Sequence, residues 1–363
     1  MRILVLTKRQ YMNKDLLDDR YGRFREIPLA LCQMGHKVQG LCLSYAKRNE
    51  GYMKDGPVLW KSINATLFKL PGLIRFIKTA TKFAKNSDII WACSDSLYGI
   101  IGYFLSLKYH TPLVFDLYDN FEYFLMAKLP VVRQLYRLVV KKCDAVTCVS
   151  RPLSCLVKSY GRQCRLFVIE NAVRKDVFKP MDKTMCRKKL NLPNNKFLVG
   201  TAGALTENRG FQYLLSAFDM IKTRYPDLQL ALAGPRNIPI PRNKRIHDLG
   251  ILALEKVPLL LNSLDVAVIC NRENDFGRYC FPQKAVEIMA CDVPLISAKV
   301  GSMKELLTDH PEWLYVPGNP RDLVKVLENR LVDRKTEYVP PPTWSNLANR
   351  LEKIMLKILN ENK

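Results

Sequence analysis

The sequence predicts an α/β protein built from two successive, doubly wound βα domains. Two observations carry that prediction. Short apolar runs of strand character alternate with stretches of helical period along almost the whole chain, the mark of parallel strands covered by helices. The alternation pauses over residues 170–195, where ENAVRKDVFKP ends in proline and a polar, basic stretch follows; it reads as a linker, after which the pattern restarts. A length of 363 residues fits two domains, and 48% hydrophobic residues can fill two cores.

The elements follow in order. Residues 2–6 (RILVL) are an apolar strand that ends at Thr7, Lys8 and Arg9. A loop with Asp18, Asp19, Arg20, Tyr21, Gly22 and Arg23 leads to a helix from about Arg25 to Met34, closed by Gly35. His36–Leu43 is the second strand. Gly22 lies where backbone can approach a ligand closely. Further strands are expected at 88–92, 112–116, 145–150 and 166–169, with Asp116 and Asp119 at the end of the second of these. After the linker come a strand ending at Gly203, a turn with Arg209, a helix to about Arg224, a strand LQLALAG, and strands at 246–250 and 265–270 around a helix at 256–261. A helix near 322–331 precedes prolines 340–342. Residues 344–360 form a last amphipathic helix.

A formal net charge of +23 requires an anionic partner. Nucleic acid is not indicated, because no strand interleaves aromatic and basic residues. Residues 67–85 and 128–142 each combine an apolar stripe with lysines and arginines. In 67–85 the stripe is Leu73, Ile74, Ile77, Ala80, Thr81 and Ala84, beside Lys69, Lys78, Lys82 and Lys85. Such helices either face a core or lie on an anionic membrane surface. No run approaches the roughly 20 apolar residues that cross a bilayer. Met1 leads straight into a strand rather than a leader, so a cytoplasmic protein, peripheral on the inner membrane face, is expected. The eleven cysteines make no CxxC pair, the four histidines show no ligand spacing, and no Asp-x-Asp occurs; no metal is expected.

Residues 279–307 organise the chain. Pro282 suits a first helical turn, and a helix runs from about Gln283 to Ala290. A strand, 293–297, follows, then Gly301 and a helix that Ser302 and Glu305 can open as a capping box. Lys284 and Glu287 are three apart and share one helix face. A cation and a carboxylate beside free helix-end N–H groups suit a ligand with phosphates and neighbouring hydroxyls. An ordinary surface ion pair is the alternative.

In these motifs the sequence resembles the GT-B glycosyltransferases, in particular the large retaining group called family 4. RILVL…LALCQMGHKV is similar to that family's first strand, helix and second strand; CDAVTCVSRPL and LFVIENAVRKDVFKP resemble its later N-domain and interdomain segments. VGTAGALTENRGFQYLLSAF resembles its donor-side strand, loop and helix, and FPQKAVEIMACDVPLISAKVGSMKEL its P-x-K-x-x-E-x-M-A signature. The resemblance implies two Rossmann-like domains facing a cleft: 1–172, completed by a C-terminal helix at 344–363 that crosses back, on the acceptor side, and 173–343 on the nucleotide-sugar side. It implies that Asp119, Glu287 and Arg209 are catalytic. Gly22, Gly203, Arg209, Arg278, Tyr279, Phe281, Pro282, Lys284 and Glu287 would bind the donor, with Glu287 on the ribose and Arg209 on the diphosphate. The chain departs from the family at Tyr279, where a first glutamate is usual, at Ala204, where an arginine is, and at Tyr118, where a histidine is.

The expected activity is retaining, hexosyltransferase-like transfer from a nucleotide diphosphate sugar to a glycan or lipid-linked acceptor, without cofactor or metal, in surface polysaccharide or glycolipid biosynthesis. The alternatives are a GT-B epimerase or hydrolase, or a non-catalytic nucleotide-sugar-binding protein, as the three departures allow.

Overall fold

The first strand, β1 (Arg2–Lys8), is buried from Ile3 to Thr7 because it has a parallel neighbour on each edge and helices over both faces. It lies inside the larger of two main sheets in a computed structural model, which describes residues 1–11, 14–65 and 70–361. The chain divides into a first unit, Met1–Asn171 with Trp344–Lys363, and a second, Ala172–Thr343. After β1 the first unit runs through β2 (Gln10–Tyr11), β3 (Lys14–Asp15), α1 (Arg23–Gln33), β4 (Lys37–Ser44), β5 (Gly51–Asp55) and β6 (Val58–Asn64). It continues with α2 (Leu70–Ala84), β7 (Ile89–Cys93), α3 (Ser96–Tyr109), β8 (Leu113–Leu117), α4 (Pro130–Lys142), β9 (Ala145–Cys148), α5 (Arg151–Ser159) and β10 (Leu166–Val168). The strand order is β10-β9-β8-β7-β1-β4-β6-β5, parallel except for β5 against β6. The chain winds outward from β1 through β4 and β6, then restarts at β7 and winds the other way. β1 and β7 therefore flank the point where the winding reverses, and the loops after them diverge.

The second unit contains α6 (Lys183–Lys189), β11 (Phe197–Ala202), α7 (Phe211–Ile221), β12 (Leu228–Ala233), β13 (Ile246–Asp248), α8 (Val257–Ser263) and β14 (Val266–Ile269). Then come α9 (Asp275–Tyr279), α10 (Gln283–Ala290), β15 (Leu295–Ala298), α11 (Met303–Leu306), β16 (Leu314–Tyr315) and α12 (Pro320–Val332). Its sheet, β13-β12-β11-β14-β15-β16, is parallel throughout and reverses between β11 and β14. One face buries Val199, Leu230, Val268 and Ile296 against Phe211, Leu214 and Phe218 of α7 and Leu323 and Leu327 of α12. The last helix, α13 (Trp344–Glu361), packs on α1; Arg350 donates to Glu170 and His36 pairs with Glu352 at 2.6 Å.

Several expectations change. Residues 170–195 are not a bare linker: from Ala172 they belong to the second unit and include α6. Arg187, 3% exposed, binds Asp265 and the carbonyls of Ser263, Asn194 and Lys196. The stripe assigned to residues 67–85 faces differently. Lys69, with residues 67 and 68, lies outside the described residues, and α2 buries Gly72, Phe76, Ala80, Phe83 and Ala84 while Ile74 and Ile77 are exposed. The capping box does not form. Ser302 has helical φ and ψ, and its hydroxyl is drawn into the core to donate to the Cys280 carbonyl. Pro282 is the cap residue itself, with ψ 108°, rather than a member of the first turn. Asp116 lies inside β8, not at its end, and is committed to a buried ion pair described below.

Candidate functional site

In the second unit the site grows from the carboxyl ends of β11 and β14. β11 ends at Ala202 and is followed by Gly203, whose φ of +137° suits glycine. Its carbonyl lies against Gly234, also at positive φ; a β-carbon there would sit 1.7 Å from that oxygen, so both positions require glycine. The loop that follows carries Arg209, whose guanidinium stacks on the Phe276 ring at 3.8 Å. Gly210, at φ 76°, then opens α7 without a side-chain cap; the Phe211 and Tyr213 amides donate to the Thr206 and Gly210 carbonyls. The Asn274 side chain bonds the Asn208 carbonyl and caps α9, tying this loop to the one after β14.

The helix α10 brings up the other wall. Lys284 packs its stem against Gly203, 3.7 Å from where a β-carbon would stand, and its Nζ lies 2.5 Å from Glu287 Oε2. Glu287 is 1% exposed. Gln283 fastens the start of α10 to the Ala172 carbonyl. Gly203 and Lys284 are thus neighbours, Glu287 pairs with Lys284, and Arg209 stands on the loop that follows Gly203. Phe281 is buried; Tyr279 is half-buried at the end of α9; Arg278 is exposed. The Gly277 and Arg278 carbonyls press on Gly301 and fix the α9 turn.

In the first unit the loops after β1, β7 and β8 meet around Lys8. Its Nζ lies 3.2 Å from the Tyr118 hydroxyl and 5.0 Å from the Phe124 ring centre. Burial lowers the Lys8 pKa, an effect that Asp95 and Asp119 partly oppose. Asp119 is 7% exposed and accepts from the Asn120 amide. Gly22, at φ 92°, caps α1 and lies against the Tyr11 ring. Asp116 is elsewhere: it receives Arg23 at 2.9 Å and Thr147 at 2.6 Å, and burial raises its pKa against the pull of Arg23. Arg23 also donates to the Ile169 and Glu170 carbonyls, so this buried pair joins α1 to the end of the sheet.

Sequence reasoning missed Lys8 as a site residue. It is the last residue of β1, and the carboxyl end of a strand is where an open α/β sheet binds ligands.

Two families match the chain. Residues 196–333 match the one described as Glycosyl transferases group 1, and residues 24–177 match Glycosyltransferase Family 4. A D-inositol 3-phosphate glycosyltransferase of Stackebrandtia nassauensis is 25% identical over 243 residues, 59% of this chain and 54% of that one. A mannosylfructose-phosphate synthase of Agrobacterium fabrum is 24% identical, over 62% and 57%. The chain thus spans about half the length of the curated relatives it matches. Among solved structures, a sucrose-phosphate synthase from Thermosynechococcus elongatus superposes with a TM-score of 0.71 at 16% identity, covering 98% and 97% of the two chains. Anabaena HepE in complex with UDP-glucose superposes at 0.67 and 19%, covering 100% and 98%. These superpositions share the fold of two Rossmann-like sheets.

Proposed function

The chain belongs to the group 1 glycosyltransferases of GT-B fold, and we propose that it moves a sugar from a nucleotide diphosphate sugar to a glycan or lipid-linked acceptor with retention, in surface polysaccharide or glycolipid biosynthesis. The observation that carries this reading is the buried Glu287 carboxylate, paired with Lys284 against Gly203 at the end of β11. Glu287 suits two neighbouring ribose hydroxyls, and Lys284 and Arg209 suit a diphosphate. These fixed charges stabilise the leaving diphosphate as its charge develops, work that a divalent metal does elsewhere. Attack from the face of the departing group, with its phosphate taking the acceptor proton, gives retention without an enzyme nucleophile. Lys8 and Asp119 are the polar groups of the first unit suited to the acceptor.

The protein also suits the surface of an anionic membrane. Helix α2 packs on α3 and α3 on α4, and these neighbours expose Ile74, Ile77, Phe104, Leu107 and Leu138 among lysines and arginines. Among the described residues no helix is long and apolar enough to cross a membrane, so contact would be peripheral.

A thermal-shift panel of UDP-, GDP-, ADP- and dTDP-sugars, with Glu287→Ala as control, tests the donor site. One donor should raise the midpoint of the wild type only. No shift with any donor, or an equal shift in the variant, overturns the reading. Product analysis with labelled donor then separates transfer from hydrolysis or epimerisation, and the anomeric configuration of the product tests retention.

A further inference from the structure

The second sheet reverses its winding between β11 and β14, and the loops leaving these two strands bound one crevice. One loop carries Arg209. The other carries Asn271 and Arg272, and neither of these residues has a role in the site described above. Asn271 is 6% exposed, yet its side-chain Nδ2 has no hydrogen-bond partner among the described residues. A buried amide donor left unpaired is destabilising, so a folded protein keeps few of them. Arg272 is half-buried and makes no ion pair among the described residues. Its Cγ lies 3.3 Å from where a β-carbon of Gly210 would stand, which sets the stem beside the residue that precedes α7.

Strand pairing links this loop to the one with Ala204. Val199 lies opposite Val266 and Gly200 opposite Ala267, so the two strands are neighbours, and the loops leaving them carry Ala204 and Asn271. Ala204 is exposed and brings no charge. The loop after β14 then holds an orphaned amide donor and a guanidinium without an ion pair among the described residues, both suited to an anion.

We propose that Asn271 and Arg272 complete the phosphate site: Arg272 supplies the cation that Ala204 does not, and Asn271 Nδ2 donates to a phosphate oxygen of the same diphosphate. The assignment rests on the nucleotide-sugar reading. It predicts that this protein reads the diphosphate from the β14 loop, so that its donor affinity depends on Arg272 as much as on Arg209.

Calorimetric titration of the whole chain with UDP, GDP and ADP, and with the matching nucleosides, tests it. For the diphosphate that binds wild type, Arg272→Ala should weaken binding about ten- to a hundredfold. Arg272→Lys should recover part of that loss, and Asn271→Asp, which sets a carboxylate against the phosphate, should weaken binding at least as much. Nucleoside binding should change less than twofold in all three. Circular dichroism and the thermal midpoint report whether each variant folds, and Arg272→Lys keeps charge and stem if Arg272→Ala does not. Diphosphate binding within twofold of wild type in Arg272→Ala, alongside loss in Arg209→Ala, overturns this assignment and leaves the donor site standing. Absence of binding by the wild type to any of the three diphosphates overturns both.

Discussion

Lys284 Nζ lies 2.5 Å from Glu287 Oε2, three residues along the same helix, and the carboxylate is 1% exposed while the lysine reaches solvent. The pair holds a buried charge at the edge of the crevice. Removing Lys284 leaves that charge without its counterion, so Lys284→Met should cost about 2 kcal/mol. Lys284→Met with Glu287→Gln should cost less than the sum of the single changes, with a coupling of roughly 1–3 kcal/mol in urea titrations. Additive losses contradict the pairing.

Arg23 and Asp116 form a second buried pair, with Arg23 holding the end of the first sheet through the Ile169 carbonyl. Arg23→Met leaves Asp116 alone in the core. The expected loss is about 3–5 kcal/mol, read as a drop of roughly 10 °C in the first unit's transition. A change below about 1 kcal/mol would falsify a structural role for the pair.

Lys8 gives a pH signature. Burial lowers its pKa in the folded state, so the folded protein binds that proton less tightly than the unfolded chain does. Stability should therefore rise as pH climbs from the lowered pKa toward the unfolded lysine value of about 10.4. Lys8→Met should abolish this rise and be more stable at pH 7 by about 1 kcal/mol. Urea midpoints between pH 7 and 10 decide the matter; parallel profiles for the two proteins count against a desolvated ammonium.

Gly234 stands against the Gly203 carbonyl at a φ of +143°. Gly234→Ala should cost more than about 2 kcal/mol. It should also weaken nucleotide binding, since the displaced residue, Gly203, is the one Lys284 packs on. A variant that binds nucleotide as wild type does shows that the end of β11 is not part of the site.

The outward apolar residues of α2 and α3 address lipid contact. Co-sedimentation with vesicles rich in anionic lipid should fall severalfold for Ile77→Glu with Leu107→Glu, and should weaken as salt rises. Equal binding by wild type and variant at low salt removes the membrane reading.

Most of the fold was legible because the strands of parallel sheets are apolar on both faces: RILVL and LQLALA are strands wherever they are placed. The hairpin of β5 and β6 escaped notice although Asp55-Gly56 is its turn signal. Lys284 and Glu287 were legible because helical spacing alone sets them on one face.

What the sequence by itself determined, then, is local: the alternation of strand and helix, the break between the two sets, and the pairing of side chains one helical turn apart. Tertiary structure decided what depends on contacts distant in sequence. It turned Phe76 rather than Ile77 to the core, because α2 packs by its large ring. It withdrew Asp116 into a pair with Arg23, 93 residues away, and it laid β14 beside β11. Strand order creates the reversal between β11 and β14, and no local pattern encodes strand order. The chemistry of that crevice therefore arises only when the sheet is assembled.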